Sequence, residues 1–569
     1  GSIFITRRII YKEEQLVAST KMPPRSAWRA MLESAFYANS VRKTTIPELY
    51  SLALQQPEVM MTSHPLHKPE QFGLAKDAKV LVSNDGGIVG RTARARRLVR
   101  EMGSDRGEYL RILSEAIYQL NKREALWLEA VVGLHPDFVV KANLLSPVTD
   151  AKNMFDWGIN FAPWMQPWTD AYKNSTLIDE PDILVLADPE WRDPRFPDGL
   201  VIIDEEENCT ALLGLRYFGE RKKGTLTLAW TIGTRQNMVA CHGGIKTVGE
   251  NSPIAVFGLS GSGKSSLTNS HDHGGTLRED EKVTVIHDDA FLIDLDADTS
   301  VALEPSLFDK TDAVKFNDPS IKFFYSAQNV AVTELQDSSR LIVAEDIRNE
   351  NGRCIKSRDM FNYADSCRRP GSVIWLQKDP SLPPVSKITD IDLAVAMGAS
   401  LSTMRAKGVE NVPTEELEKL VIEPFANPFR VHPLMTDCKQ FRKLFKLGTE
   451  CYVMNTNAFG IPGKSVDIPL QLSLSIITAM VRGTIRWTEW NMFPGLLIPE
   501  NGIDLFGEDY NDKYRPTSEL DYLKFMRRRM QDRITYLSNK RDIENDMENV
   551  FIDPLIAARV EIDKILNPV

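Results

Sequence analysis

The sequence predicts a mixed α/β protein, and three observations support this fold class. The chain has 569 residues, which is long for a single hydrophobic core and favours two or three domains. Segments with apolar residues at helical spacing alternate with short runs rich in Val, Ile and Leu. A glycine-rich loop directly follows one of these runs. Changes in this pattern divide the chain into residues 1–235, 236–480 and 481–569.

The first segment, residues 1–235, mixes helices with short strands. Apolar residues from Arg106 to Val131 recur at helical spacing, so we expect a helix there. Asp182 to Leu186, with the sequence DILVL, predicts a buried strand.

The middle segment, residues 236–480, is typical of a central mixed sheet. Its short apolar runs are bounded by turn residues, as in strands buried on both faces. These runs are Ile254 to Phe257, Val283 to Ile286, Leu341 to Val343 and Val373 to Leu376.

The third segment, residues 481–569, begins with a stretch rich in Gly, Pro and Asp. Asn491 to Pro516 predicts a long ordered loop. One apolar helical stripe follows, formed by Leu523, Met526, Met530, Ile534 and Leu537. The run Arg527 to Arg529 inside that helix predicts a solvated face rather than an anion site.

Composition argues against several classes of function. The formal net charge is −10 and no domain-sized basic stretch offsets it, so we expect no nucleic-acid partner. No apolar run approaches the roughly 18 residues of a spanning helix, so we expect no membrane partner. Gly1-Ser2 is typical of a vector-derived remnant, and no signal-peptide core follows it. The six cysteines form no Cys-x-x-Cys pair and suit free thiols, which predicts a cytoplasmic protein.

The strongest local signal is a phosphate-binding loop after the run Ile254 to Phe257. The sequence GLSGSGKSS, from Gly258 to Ser266, matches the pattern G-x-x-x-x-G-K-[ST]. Its glycines let backbone N–H groups face one anion, while Lys264 reaches the β and γ phosphates and Ser265 ligates their magnesium. The predicted nucleotide-binding residues here are Gly258, Leu259, Ser260, Gly261, Ser262, Gly263, Lys264, Ser265 and Ser266.

Such an enzyme also needs a carboxylate near the metal, at the end of a neighbouring strand. Val283 to Ile286 leads into His287-Asp288-Asp289, which supplies two carboxylates. His271-Asp272-His273 predicts a surface loop rather than a rival metal site, because alternate residues of a turn rarely converge on one ion.

Two segments before the phosphate loop become informative when their order and their spacing to the loop are considered. They are YFGERKKG, from Tyr217 to Gly224, and ACHGG, from Ala240 to Gly244. Together with the loop they resemble the ATP-type phosphoenolpyruvate carboxykinases, in which a Tyr-Gly-Gly-Glu-x-Lys-Lys-Gly turn, a histidine and a kinase loop follow in this order. The resemblance covers residues 80 to 480 and is strongest from 210 to 315.

This resemblance implies a two-lobed fold with the phosphate loop in the C-terminal lobe. Residues 1–235 would then bind substrate, 236–480 would bind nucleotide and 481–569 would form a loop and helical extension. It implies a gluconeogenic enzyme that interconverts oxaloacetate and phosphoenolpyruvate plus CO2, with ATP as donor and Mn²⁺ and Mg²⁺ as cofactors.

The resemblance also implies roles for single residues. Lys223, His242 and Asp289 would be the manganese ligands, with Ser265 on the magnesium of the nucleotide. Arg91 would hold the substrate carboxylate, Tyr217 would line the oxaloacetate pocket and Arg353 would bridge substrate and γ-phosphate. The implied catalytic set is Arg91, Tyr217, Lys223, His242, Ser260, Lys264, Asp289 and Arg353, and Lys310 and Arg353 would also contact nucleotide.

The sequence departs from the family pattern at several places, and two of the departures bear on donor and substrate. Ser465 stands where the family has an adenine-contacting arginine, so the donor stays open between ATP, GTP and pyrophosphate. Thr92 to Ala95 replaces the family's Ser-Pro-Lys-Asp after Arg91, which leaves a changed substrate open.

Two alternative functions stay open. One is a kinase on the same scaffold that phosphorylates a different small molecule or a protein hydroxyl. The other is a nucleotide-gated binding module without turnover, although intact Lys264, Ser265 and Asp289 speak against it.

Overall fold

The computed structural model describes residues 26–345, 351–404, 420–504, 508–544 and 548–568. Its helices are α1 (Ala27–Ala35), α2 (Ile46–Ala53), α3 (Thr92–Ala95), α4 (Arg106–Leu120), α5 (Ala151–Asn160), α6 (Trp168–Lys173), α7 (Phe218–Arg235), α8 (Lys264–Asn269), α9 (Ile391–Ala399), α10 (Leu434–Lys446), α11 (Leu470–Arg482), α12 (Tyr510–Tyr514), α13 (Leu520–Glu544) and α14 (Asp553–Leu566).

The strands are short and run through most of the chain. The first ten are β1 (Val41–Lys43), β2 (Val59–Pro65), β3 (Lys79–Ser83), β4 (Arg96–Leu98), β5 (Ala125–His135), β6 (Phe138–Pro147), β7 (Ala162–Pro163), β8 (Ile183–Asp188), β9 (Leu200–Asp204) and β10 (Cys209–Leu213). The next ten are β11 (Met238–His242), β12 (Gly244–Val248), β13 (Ile254–Phe257), β14 (Val283–His287), β15 (Ala290–Asp294), β16 (Thr299–Ala302), β17 (Ser306–Lys310), β18 (Phe324–Gln328), β19 (Val330–Glu334) and β20 (Arg340–Glu345). The remainder are β21 (Arg353–Ser357), β22 (Ser366–Arg368), β23 (Ser372–Gln377), β24 (Val385–Ile388), β25 (Ser402–Met404), β26 (Leu420–Ile422), β27 (Glu450–Asn455), β28 (Ala458–Phe459), β29 (Val466–Asp467), β30 (Arg486–Glu489) and β31 (Leu496–Asn501).

Four larger sheets organise these strands. The N-terminal sheet has the order β1-β5-β6-β8-β10-β9-β4, with β7 beside β5. The P-loop sheet has the order β14-β12-β13-β23-β27-β24-β31-β30. A four-stranded sheet runs β11-β15-β16-β22, and a five-stranded sheet runs β17-β21-β18-β3-β2. The predicted mixed α/β fold class is confirmed.

The centre of the P-loop sheet consists of β13, β23 and β27, which pair in parallel. Their apolar residues are buried on both faces, because helices α9 and α10 help to cover the sheet. Trp375 of β23 packs there against Phe425 and Phe441, whose rings stack 4.5 Å apart. This rigid core holds the ends of the parallel strands in fixed positions.

Helix α7 packs between the N-terminal sheet and the four-stranded sheet. It contacts β8 and β10 on one side and β11 and β15 on the other. Leu228, Trp230 and Ile232 are buried among these strands. Because strands cover the helix on both sides, the polar residues of its first turns are buried, namely Glu220, Arg221 and Lys222.

Some predicted elements differ from the structure. The predicted helix from Arg106 to Val131 ends at Leu120, since the later residues belong to β5 and pair with β6. Leu341 to Val343 is a strand as predicted, but its strand β20 pairs with β19, outside the P-loop sheet. The stretch expected to be one long loop, Asn491 to Pro516, contains β31 and α12.

Other predicted elements agree with the structure. The runs expected as strands around residues 183, 254, 283 and 373 form β8, β13, β14 and β23. The five apolar residues of the C-terminal stripe are all buried on α13. Arg529 of that helix is also buried, so the expected solvated face does not include it.

The five-stranded sheet joins β2 and β3 of the first segment to β17, β18 and β21 of the second. It therefore spans the boundary expected at residue 235, and the domain divisions stay a prediction. All six cysteines are free. Among the described residues, no helix is long and apolar enough to cross a membrane.

Candidate active site

The phosphate loop follows the last residue of β13 and ends in α8. Gly261 and Gly263 have φ angles of 78° and 90°, a left-handed conformation that glycine adopts without steric cost. At Gly258 a Cβ atom would lie 2.2 Å from the Ser262 hydroxyl oxygen. The loop therefore needs its glycines for its shape as well as for access to an anion.

Neighbouring segments hold this loop through side-chain contacts. The Lys264 ammonium donates to the Asp288 carbonyl and lies 3.6 Å from the Asp288 carboxylate. Lys310 donates to the Ser260 hydroxyl at 3.2 Å, and Thr456 donates to the Ser262 carbonyl at 2.6 Å. Of the other predicted loop residues, Leu259 is half-buried, whereas Ser265 and Ser266 are exposed at the start of α8.

The three predicted metal ligands, Lys223, His242 and Asp289, converge beside the loop. His242 ends β11 opposite Ala290 of β15, and this register places its ring next to Asp289. The distance from His242 Nε2 to Asp289 Oδ1 is 3.0 Å. Lys223 reaches the same carboxylate from α7, with its Nζ 2.7 Å from Asp289 Oδ2.

The charges around these ligands shift their pKa values. Burial lowers the pKa of Lys223 to about 8, and the Lys222 charge acts in the same direction. Burial also lowers the pKa of His242, with a further contribution from Lys223. Burial acts to raise the pKa of Asp289, but the Lys222 and Lys223 ammonium groups hold it well below its usual range.

The donor set fits a divalent metal ion. The N–H group at His242 Nδ1 donates to the Ala426 carbonyl, which leaves Nε2 with its lone pair facing Asp289. A neutral amine, an imidazole nitrogen and a carboxylate together suit a divalent ion of intermediate hardness. Among the described residues no cluster of three His, Cys, Asp or Glu side chains is arranged to hold a metal, so this set depends on Lys223.

Three further residues complete this cluster, and the sequence had not singled them out as part of it. Lys222 is fully buried, binds Asp289 and lies 3.1 Å from Glu304. The ring of His287 accepts the Asp289 and Ala290 N–H groups at Nδ1, both at 2.9 Å, and burial lowers its pKa to about 3. His287 directly precedes the acidic pair, which was a usable signal, whereas nothing local marks Glu304.

Tyr217 and Arg353 lie next to each other, close to the charge of Lys222 in this cluster. Tyr217 precedes α7, and its buried ring contacts Phe308. Burial raises the pKa of Tyr217 to about 12, although the nearby Arg353 guanidinium opposes this shift. Arg353 is paired across the sheet with Lys310, whose ammonium binds Ser260. A continuous series of contacts thus leads from Tyr217 to the phosphate loop.

Arg91 lines a cavity whose lining includes none of the other predicted site residues. This cavity of about 250 Å³ is also lined by Asp85, Arg192 and Arg216, and the Arg91 guanidinium is 3.9 Å from Asp198. Gly87 of the same loop packs against the Tyr217 backbone, where a Cβ atom would come within 3.1 Å. The structure thus places the Arg91 loop next to Tyr217.

His271 and His273 do not form a metal site. His271 is exposed, while His273 is buried and bonds Lys246 at 2.7 Å and Thr478 at 2.9 Å. The two side chains therefore diverge, as expected for alternate residues of a turn. The expectation of a surface loop holds for His271 but is wrong for His273, which packs against α11.

Comparison with known proteins agrees with this geometry. The sequence profile of the family described as phosphoenolpyruvate carboxykinase matches residues 53–501, which is most of the chain. The chain belongs to the ATP-type phosphoenolpyruvate carboxykinase family.

Several relatives carry the name phosphoenolpyruvate carboxykinase (ATP). One from Aeropyrum pernix is 27% identical over 348 residues, which cover 56% of this chain and 66% of the relative. A glycosomal one from Trypanosoma cruzi is 26% identical over 337 residues, covering 56% and 68% of the two chains. One from Rhodopseudomonas palustris is 26% identical over 483 residues, covering 80% and 83%.

The predicted family is therefore confirmed. Membership implies an enzyme of small-molecule substrates that uses ATP and a divalent metal ion. The comparisons do not favour the alternative of a kinase on the same scaffold. The roles of single residues stay predictions.

Proposed function

We propose that this protein interconverts oxaloacetate with phosphoenolpyruvate and CO2, with ATP as the phosphoryl donor. One observation carries the proposal, namely the turn Asp288-Asp289 between β14 and β15. Asp288 faces Lys264 of the phosphate loop, while Asp289 faces Lys223 and His242. Two consecutive residues thus connect the phosphate loop to the cluster of predicted metal ligands. The names of the relatives support ATP as the donor.

The proposed reaction requires positive groups at defined places. Loss of CO2 leaves the electron pair of the broken carbon–carbon bond on an enolate, whose oxygen then attacks the γ-phosphorus and releases ADP. Arg353 lies between Tyr217 and Lys310, so it can contact both substrate and γ-phosphate. Arg91, whose loop packs against Tyr217 at Gly87, would hold the substrate carboxylate by the bidentate geometry that guanidinium groups favour. Lys264 and Ser260 would contact the transferred phosphate.

Lys223, His242 and Asp289 would hold Mn²⁺, and Ser265 would ligate the Mg²⁺ of the nucleotide. A bound divalent cation supplies Lewis-acid polarisation of an oxygen atom. The Lys223 amine must be neutral to act as a ligand, and burial brings its pKa to about 8. Lys222 keeps its proton, because the Asp289 and Glu304 carboxylates raise its pKa although burial opposes this.

A cytoplasmic, gluconeogenic role and the absence of nucleic-acid partners belong to the same proposal. Six free cysteines suit a reducing compartment, and the net charge of −10 disfavours binding to nucleic acid.

The test is a substrate screen in both directions with Mn²⁺ and three donors, ATP, GTP and pyrophosphate. Bicarbonate-dependent consumption of phosphoenolpyruvate with ADP is the expected result, and Lys264→Ala should abolish it. If wild-type protein binds ATP and hydrolyses it slowly but shows no chemistry on either acid, the carboxykinase proposal fails. Phosphorylation of another hydroxyl would then be the next reaction to examine.

A further inference from the structure

Lys378 lies at the phosphate loop and has no role in the site described so far. It is the first residue after β23, which pairs in parallel with β13, the strand that leads into the loop. The carboxyl ends of parallel strands meet at the same edge of a sheet, where ligands of such folds bind. The Lys378 Nζ atom lies 3.7 Å from the position that a Cβ atom on Gly261 would occupy.

Within the described part of the chain, the charge of Lys378 has no side-chain or backbone partner. Its side chain is half-buried, and no carboxylate, carbonyl or hydroxyl group among the described residues accepts from its ammonium. By contrast, Lys264 binds Asp288 and Lys310 binds Ser260. A half-buried cation beside a phosphate loop is stabilised when an anion is present.

The backbone on both sides of Lys378 is fixed. Arg533 of α13 is fully buried and donates to Gln377 Oε1 at 2.6 Å and to Asp379 Oδ2 at 2.7 Å. The Lys378 N–H group itself donates to the Ser402 carbonyl at 3.2 Å. These hydrogen bonds hold the segment that carries Lys378 in place. The side chain of Lys378 therefore extends toward the loop from a fixed position.

We infer that Lys378 is a phosphate-binding residue of the nucleotide site, which binds the polyphosphate chain in addition to Lys264. The inference rests on the proposed function, since it requires that the loop binds a nucleotide. Because Gly261 lies in the middle of the loop, the contact is to the β or γ phosphate rather than to the base or ribose.

The test compares Lys378→Met, which keeps the length of the side chain but removes its charge, with Lys378→Arg and wild type. Calorimetry measures the affinity for ATP and for AMP, each with Mg²⁺. Loss of a charge-assisted hydrogen bond to phosphate should weaken ATP binding roughly 10- to 100-fold in Lys378→Met. AMP binding should stay unchanged, and Lys378→Arg should restore most of the ATP affinity.

Steady-state kinetics and a control variant complete the design. The KM for ATP should rise in Lys378→Met while the KM for oxaloacetate stays at its wild-type value. Lys443→Ala is the matched control, because Lys443 binds Asn237 at the start of β11, at the end opposite His242. It should leave both KM values unchanged.

Two results would overturn the inference about Lys378 without contradicting the proposed function. Unchanged ATP affinity in a folded Lys378→Met protein would show that the lysine does not contact phosphate. Equal losses for ATP and AMP would show general damage to the site instead. If wild-type protein binds no ATP at all, the proposed function and this inference fail together.

Discussion

At the scale of single residues, the orientation of His242 depends on a strained turn. Phe425 and Ala426 have φ angles of 52° and 54°, a left-handed conformation that is uncommon outside glycine. The Ala426 carbonyl is thereby directed at His242 Nδ1. Strain of this kind persists where the surrounding structure fixes it, often at functional sites. Stacking of Phe425 on Phe441 supplies that constraint here.

Replacing Ala426 by glycine should stabilise the protein. Relief of the left-handed strain, partly offset by the greater chain entropy of glycine, predicts a gain of about 0.5–1 kcal/mol in the free energy of unfolding. Ala396→Gly, at a buried position within α9, is the control and should cost about 1 kcal/mol. Chemical denaturation measures both. Equal destabilisation by the two variants would show that the turn is not strained.

His242→Ala should raise the manganese requirement of the enzyme. The variant loses one of three ligands, so the Mn²⁺ concentration for half-maximal rate should rise more than about tenfold. The measurement is a manganese titration of rate for wild type and variant, with thermal melting as a check on folding. Superimposed titration curves would make His242 a structural residue.

At the scale of elements, local patterns predicted the phosphate loop and the acidic turn, but not the buried carboxylate of Glu304. The loop directly follows β13 and the Asp288-Asp289 turn directly follows β14, so motif and periodicity were sufficient to place both. Glu304 meets Lys222 only through the packing of α7 against the strands, and no local signal reports that contact. The helix expected to reach Val131 stops at Leu120, because pairing of β5 with β6 outweighs helical spacing.

The loop that carries Arg91 and the strand that begins at Arg353 should contribute differently to function. Arg353→Ala should weaken both ATP use and turnover, whereas Arg91→Ala should impair turnover with nucleotide affinity nearly unchanged. Each loss of turnover should correspond to ~2–5 kcal/mol, because a charged substrate group is left unpaired. Calorimetry and steady-state kinetics on each variant separate the two effects.

Arg192→Ala is the control for this comparison. Arg192 lines the same cavity as Arg91, yet it donates to the Pro189 and Trp191 carbonyls. It should change turnover less than Arg91→Ala does. Loss of nucleotide affinity in Arg91→Ala would contradict the proposed division of roles.

At the scale of the whole molecule, the C-terminal segment is part of the hydrophobic core that contains the P-loop sheet. Residues beyond 501 lie outside the family match, yet α13 buries its apolar stripe against the P-loop sheet and α14 packs on α13. Apolar periodicity predicted that helix. It could not predict that Arg533 enters the core, because arginine alone gives no signal of burial. Burial acts to raise the pKa of Asp379, but Arg533 and Arg529 hold it below its usual value.

Arg533→Met should therefore destabilise the protein by about 3–5 kcal/mol, because Asp379 is left as an unpaired buried charge. Adding Asp379→Asn should recover part of this loss. Lys524→Met, at an exposed position of α13, should have little effect. Chemical denaturation measures the three variants. A loss in Arg533→Met no greater than in Lys524→Met would show that the pair contributes nothing to stability.

The proposed function requires that one site couples loss of CO2 from oxaloacetate to phosphoryl transfer from ATP. Phosphorus NMR of wild-type protein with ATP, oxaloacetate, Mn²⁺ and Mg²⁺, with CO2 release followed in parallel, tests it most directly. We expect one phosphoenolpyruvate and one CO2 for each ADP that is formed, and no reaction in Asp289→Asn. Formation of ADP with inorganic phosphate, and no phosphoenolpyruvate, would contradict it.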